Sequence, residues 1–160
     1  MTTEELEGYG MVEMTEEEID GYLASQSVGV LGLPTEGAPS LRPMSFGFDG
    51  ESRLYFLYVL GTESRKAELS TGDRPARFLV YSAETPFNWR SVLLTGQTSE
   101  VPEDETAAAE EVLTGAWRPD VFARAVETEA TRLYRFDVTE RAGLKHLGLP
   151  PGFEATDARE

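Results

Sequence analysis

From residue 27 onward the chain is written in short apolar or alternating runs, each closed by a turn signal, and this spacing leaves few folds open. Residues 27–33 (SVGVLGL) run into Pro34 and the turn-forming Glu36-Gly37-Ala38-Pro39. A second extended run covers residues 40–48, and Asp49-Gly50 turns it back into the aromatic-rich residues 53–59 (RLYFLYV). Gly61 ends this third run, and Thr62 is placed to cap a helix reaching to about Thr71, with Gly72 as its stop. Residues 76–82 and 89–101 predict a fourth and a fifth strand around the loop Thr85-Pro86-Phe87-Asn88, and the alternating residues 133–138 (LYRFDV) predict a sixth. An Ala- and Glu-rich helix from Pro102 to near Gly115 and another opened by Pro119 fall between the last two strands. Strands and helices do not alternate as βαβ units do, which disfavours a parallel doubly wound sheet. The expected fold is mainly β with peripheral helices: a six-stranded antiparallel barrel.

The flanks read differently. Residues 1–12 are acidic and without periodicity, so a flexible N-terminal arm is expected there. Thr15-Glu16-Glu17-Glu18 is a capping-box pattern, and Ile19, Tyr22 and Leu23 then share one helical face. A single domain over residues 13–148 follows, with an irregular, acidic tail over residues 149–160.

Residue types narrow the chemistry. With no cysteine and His146 as the single histidine, thiolate and multi-histidine metal sites are excluded, and any redox chemistry must come from a bound cofactor. His146, close to a loose terminus, is expected to be exposed; Trp89 is expected to pack rather than to touch a ligand. The formal charge of -15 opposes general binding to nucleic acid. Lysine occurs only at Lys66 and Lys145, and the acid is spread over the whole chain, a pattern that suggests a halophilic surface or an ordinary acidic one. No apolar run approaches membrane-spanning length and the N-terminus is acidic, so a cytoplasmic protein is expected.

One segment carries an electrostatic oddity. In Gly61-Thr62-Glu63-Ser64-Arg65-Lys66-Ala67-Glu68-Leu69, two cations fall in the first turn of a predicted helix, where the helix dipole disfavours them by a few tenths to about 1 kcal/mol each. A phosphate bound there would accept hydrogen bonds from free backbone amides and the Ser64 hydroxyl while Arg65 and Lys66 balance its charge. Alternatively, Arg65 and Lys66 pair with Glu63 and Glu68 on a solvated helix start. Arg42, in Leu41-Arg42-Pro43-Met44-Ser45-Phe46-Gly47, is either a second cation for the same phosphate or a surface arginine at a strand end.

Taken in order, Arg42-Pro43-Met44-Ser45, a hairpin, Ser64-Arg65-Lys66, and the strand Trp89-Arg90-Ser91-Val92-Leu93-Leu94-Thr95-Gly96 resemble the FMN-binding split barrels of the pyridoxamine 5'-phosphate oxidase-like superfamily. The resemblance implies a six-stranded split β-barrel of Greek-key type, a homodimer with flavin at the interface, and FMN as cofactor, with the deazaflavin F420 as the alternative. It also implies that Arg42, Ser64, Arg65 and Lys66 take the flavin phosphate, that the backbone of Pro43, Met44 and Ser45 runs along the ring, and that Ser91 reaches the flavin; Thr62, as the cap of the predicted helix, is counted with the phosphate site on the electrostatic argument above. The implied activity is oxidoreduction of a small molecule; a flavin-binding protein without turnover is the other reading. Two departures stand out. True pyridoxamine phosphate oxidases end the Arg-led motif in a lysine, where this chain has Gly47, and they close with a basic, histidine-containing grip on the substrate phosphate that Arg141-Ala142-Gly143-Leu144-Lys145-His146 does not clearly match. The nitroimidazole-resistance-like members often carry a histidine after the Tyr-Phe of the third strand, where this chain has Leu57.

Overall fold

The computed structural model describes residues 2–59, 74–116 and 131–148. The helix expected after Thr62, the helix expected at Pro119 and the acidic tail lie outside the described residues. In chain order the described elements are α1 (Thr3–Gly8), β1 (Met11–Glu13), α2 (Glu16–Ser25), β2 (Val28–Leu33), β3 (Ser40–Ser45), β4 (Gly47–Phe48), β5 (Arg53–Val59), β6 (Ala76–Thr85), β7 (Asn88–Glu100), α3 (Thr106–Ala116) and β8 (Thr131–Leu147).

All described strands join one antiparallel sheet in the order β3-β2-β6-β7-β8-β5-β4, with β1 added beside β8. The two ends of that path are consecutive in the chain. Residues 40–48, one strand by pattern, divide at Phe46: β3 pairs with β2, and β4 pairs with β5. The sheet therefore curls until its ends meet at a single residue, which gives the split barrel expected from the sequence. Phe46 is fully buried at this seam, and its N–H donates to Ser27 O at 2.9 Å.

Aromatic side chains fill the interior. Phe46, Phe56, Phe78 and Phe136 meet at ring-centroid distances of 5.1 to 6.4 Å, and Tyr58 stacks on Tyr134 at 4.2 Å. These contacts explain why residues 53–59 read as an unbroken apolar run. Leu54, Phe56 and Tyr58 face the barrel, whereas Tyr55 on the opposite face is buried in a second cluster with Val101, Ala109 and Leu113 under α3. The hairpin before β5 is held by Asp49, whose carboxylate accepts from the amides of Glu51, Ser52 and Arg53, while Gly50 takes the positive φ of 87° that the turn demands.

The capping box at Thr15 forms as predicted, with Thr15 and Glu18 exchanging side-chain and backbone hydrogen bonds. Behind it α2 turns Ile19, Tyr22 and Leu23 inward, and burying the two aliphatic side chains contributes about 1.5–3 kcal/mol each. Three ion pairs fasten its outer side to β8: Arg141 to Glu16 at 2.5 Å, Arg141 to Asp20 at 2.6 Å, and Lys145 to Glu18.

Three expectations are corrected. Residues 1–12 are not wholly an irregular arm: Thr2 caps α1 with its own capping box, and β1 pairs Met11, Val12 and Glu13 with His146, Lys145 and Leu144. The last strand does not stop at Val138 but continues to Leu147. Its extension rests on a bulge, because Thr95 faces Glu140 while Gly96 faces Val138, leaving Thr139 without a partner position. Before the bulge β8 lies between β7 and β5; after it, between β7 and β1. Finally, His146 is buried, with 5% of its surface exposed, because both of its neighbouring strands and the Phe87 and Trp89 rings cover it.

Candidate functional site

Thr62, Ser64, Arg65 and Lys66 lie outside the described residues, so the site is built from β3 outward. β3 pairs on one side with β2, and no described strand pairs with its other side. Register fixes which groups face that open edge. Pro43 stands opposite Val30 and has no N–H, so this pair occupies a non-hydrogen-bonded position of the ladder. The Phe46 amide bonded to Ser27 confirms the same alternation. Parity then turns the Leu41 and Ser45 amides and the Leu41, Pro43 and Ser45 carbonyls toward the open edge. Proline in a strand is tolerated at such an edge.

Side chains alternate across the same strand. Met44 stands opposite Gly29 and is buried; Arg42 stands opposite Leu31, on the same face, but at a position open to solvent. Among the described residues the Arg42 side chain makes no hydrogen bond or ion pair, as is also true of the Arg77 and Arg90 side chains, whereas those of Arg53, Arg132, Arg135 and Arg141 each meet a carboxylate. In a chain with 29 acidic residues, an arginine left unpaired on an open strand edge is available to an anion.

Leu41, Pro43 and Ser45 point to the outer face of the sheet. Pro43 lines a groove of about 650 Å³ with Ser27, Val28, Val30, Tyr81 and Ser82. Ser91 is on the outer face as well, opposite Tyr81 on β6 and Leu144 on β8. It borders a different groove, of about 460 Å³, whose polar walls are Glu13, Glu16 and Arg141. With β2 and β6 between β3 and β7, Ser91 lies three strand spacings from Ser45, roughly 14 Å. Within one chain the structure thus joins Arg42, Pro43, Met44 and Ser45 on one strand and leaves Ser91 apart from them. Trp89 is half-buried with its ring 5.9 Å from His146, in keeping with packing. The His146 Nδ1 lies 3.0 Å from Phe87 O, which fixes the imidazole to the β6–β7 loop. Among the described residues no group of three or more His, Asp or Glu side chains is placed to hold a metal ion.

The model of the pyridoxamine 5'-phosphate oxidase family matches residues 15–145, most of the chain. The chain belongs to that family. No curated protein matches it. Solved structures with the same fold include an FAD-binding protein from Mesorhizobium loti, 15% identical, with a TM-score of 0.69 and coverage of 86% of this chain and 98% of that one. An FAD-binding protein from Mycobacterium smegmatis is 18% identical, with a TM-score of 0.65 and coverage of 86% and 100%. A flavocytochrome from Azotobacter vinelandii is 20% identical, with a TM-score of 0.68 and coverage of 88% and 71%.

Family membership gives the Gly47 departure a structural reason. A Cβ at position 47 would lie 3.0 Å from Val112 Cγ1 and 3.1 Å from Val112 O, so α3 occupies the space a longer side chain would need. Sequence reasoning missed Tyr81. Its alternation with buried Phe78 and Val80 marks it as outward-facing, but only the sheet order reveals that it stands between Pro43 and Ser91.

Proposed function

We propose that this protein is an FMN-dependent oxidoreductase acting on a small molecule, as a homodimer with flavin near the interface. The observation that carries the reading is the open edge of β3, where Arg42, its side chain unpaired among the described residues, is followed by backbone donors and acceptors beside a groove whose described lining holds no charged residue, in a chain of this family. These groups fit a flavin: a guanidinium for its phosphate, and alternating amide and carbonyl groups for the polar edge of its ring. Ser64, Arg65 and Lys66, with Thr62, would complete the phosphate site. The flavin supplies hydride or electron transfer; the chain's residues bind, orient and exclude water. Among the described residues no helix is long and apolar enough to cross a membrane, and the acidic surface suits a cytoplasmic, salt-rich setting.

Self-association draws support from the outer face of the sheet, where Val28 and Leu41 are 55% and 63% exposed near the partly buried Val30, Leu79 and Leu93. A second copy would cover that apolar area.

The test is the molecule that co-purifies. Mass and absorbance of the extracted compound separate FMN from FAD, which the Mesorhizobium loti and Mycobacterium smegmatis proteins are named for binding, and from F420. Bleaching by NAD(P)H with reoxidation by an added acceptor supports an oxidoreductase, whereas a flavin inert to every reductant pair supports a binding protein. Arg42→Ala is expected to weaken FMN binding and leave riboflavin binding unchanged; equal affinity for FMN in both proteins would remove Arg42 from the phosphate site.

A further inference from the structure

Resting on the homodimer proposed above, we infer that Arg77 of each protomer pairs with the partner's Glu140, around a two-fold axis that runs along β7. Register sets Arg77 opposite Thr95 and Thr95 opposite Glu140, so the three side chains form one row on the outer face of the sheet. Two further rows lie beside it: Leu79, Leu93 and Ala142, then Tyr81, Ser91 and Leu144. Across these rows the only charges are the two ends of the first, Arg77 and Glu140. Both residues are exposed, and among the described residues neither side chain has a hydrogen-bond or ion-pair partner. The rows next to them are largely apolar, with Leu79, Leu93 and Leu144 only partly buried and Ala142 exposed.

A second copy stacked on this face through a two-fold axis makes every contact twice, and residues on the axis meet their own copies. An axis along β6 would set Arg77 against Arg77, and one along β8 would set Glu140 against Glu140. A diagonal axis through Leu93, which orthogonal packing of the two sheets requires, brings one of those residues close to its own copy. An axis across the strands at Leu93 sets Arg77 against Tyr81 and Glu140 against Leu144, which leaves both charges unpaired. Along β7 the self-facing residues are Ser91, Leu93 and Thr95, all uncharged. Arg77 and Glu140 then stand one strand to either side, each about 4.8 Å from the axis, so each meets its opposite in the partner. The same rotation sets the bulky Leu79 against the partner's Ala142. Packed sheets stand about 10 Å apart, a gap that an arginine and a glutamate reaching toward each other can close. Such a pair fixes the register of the dimer more than its affinity, because the arrangements that juxtapose like charges are penalised.

Sedimentation in dilute salt compares the full-length protein with Arg77→Glu, Glu140→Arg and the protein carrying both changes, with circular dichroism as the check on folding. Each single reversal sets like charges together twice per dimer and is expected to weaken dimerisation about tenfold or more, whereas the double reversal restores it to within about threefold of wild type. Molar potassium chloride is expected to narrow the gap between the single variants and wild type. Because the chain has no cysteine, a short bis-maleimide gives a second reading. Arg77→Cys and Glu140→Cys proteins, mixed and allowed to exchange subunits, are expected to cross-link to each other, and neither to itself. Cross-linking of either variant alone, or no mixed product from a sample that sediments as a dimer, would overturn the axis. Single reversals as dimeric as wild type, or a double reversal no better than its parents, would overturn the pair while leaving the homodimer standing. Wild-type protein that sediments as a monomer at every concentration would remove the homodimer reading, and this inference with it.

Discussion

Two glycines in neighbouring parts of the sheet should respond oppositely to the same substitution. At Gly96, opposite the β8 bulge, an added Cβ would lie 2.2 Å from Asp137 O, 2.9 Å from Asp137 C and 2.9 Å from Phe136 Cε1. Two of these atoms are backbone, held in the β7–β8 and β5–β8 ladders, so relief requires a shift of about an ångström in the strand at the centre of the sheet. Overpacking of this kind costs about 1–3 kcal/mol where side chains can yield, and the backbone clash puts Gly96→Ala at or above about 3 kcal/mol. At Gly32 the nearest atoms are Leu41 Cδ2 at 3.3 Å and Arg77 O at 3.5 Å, and Leu41 is exposed and free to turn aside. There alanine also reduces the entropy of the unfolded chain, so Gly32→Ala is expected to be neutral or stabilising by up to about 1 kcal/mol. Neither glycine has a positive φ, so the contrast isolates steric clearance. Urea denaturation at fixed salt reads it out: for a slope of about 2 kcal/mol/M, Gly96→Ala lowers the midpoint by about 1.5 M and Gly32→Ala leaves it in place or raises it. A Gly96→Ala protein within about 0.5 kcal/mol of wild type, or a Gly32→Ala protein equally damaged, would refute the reasoning.

Further outcomes follow from the same structure. The Glu18 carboxyl is held below its ordinary range by hydrogen bonds from Lys145 and Thr15, so its stabilising effect is present above the unfolded value of about 4.5 and is lost as pH falls through the lower folded value. Lys145→Met should flatten that acid-side loss in a pH series of thermal melts, and an unchanged slope would count against the pair. Leu113, on α3, is fully buried in the cluster with Tyr55, Val101 and Ala109, and Leu113→Ala is expected to cost about 2–5 kcal/mol in the same urea assay. With a formal charge of -15, the thermal midpoint should rise between dilute buffer and molar potassium chloride; equal midpoints would end the halophilic reading.

Features set by near neighbours were readable from residues alone. Thr15 and Glu18 cap a helix wherever that helix sits, Asp49-Gly50 makes a hairpin through contacts within five residues, and alternation assigns faces to residues 76–82. The candidate site was half legible on the same grounds. Pro43 cannot serve a central strand, so the edge character of Arg42-Pro43-Met44-Ser45 belongs to local chemistry, whereas the partners of that edge do not.

Sheet order was decided only in three dimensions. Nothing local to Phe46 announces that the two halves of one run pair with opposite ends of the sheet. Nor do residues 139–147 display the strand they form, since their faces are covered by α2 and β1 rather than by alternating apolar and polar surroundings. His146 is buried for that reason, and Tyr81 comes to stand between Pro43 and Ser91 for a related one. Hydrogen bonds and turns act over a few residues and leave a pattern in the sequence; strand neighbours are chosen by burial across tens of residues, and that choice exists only once the whole sheet has closed.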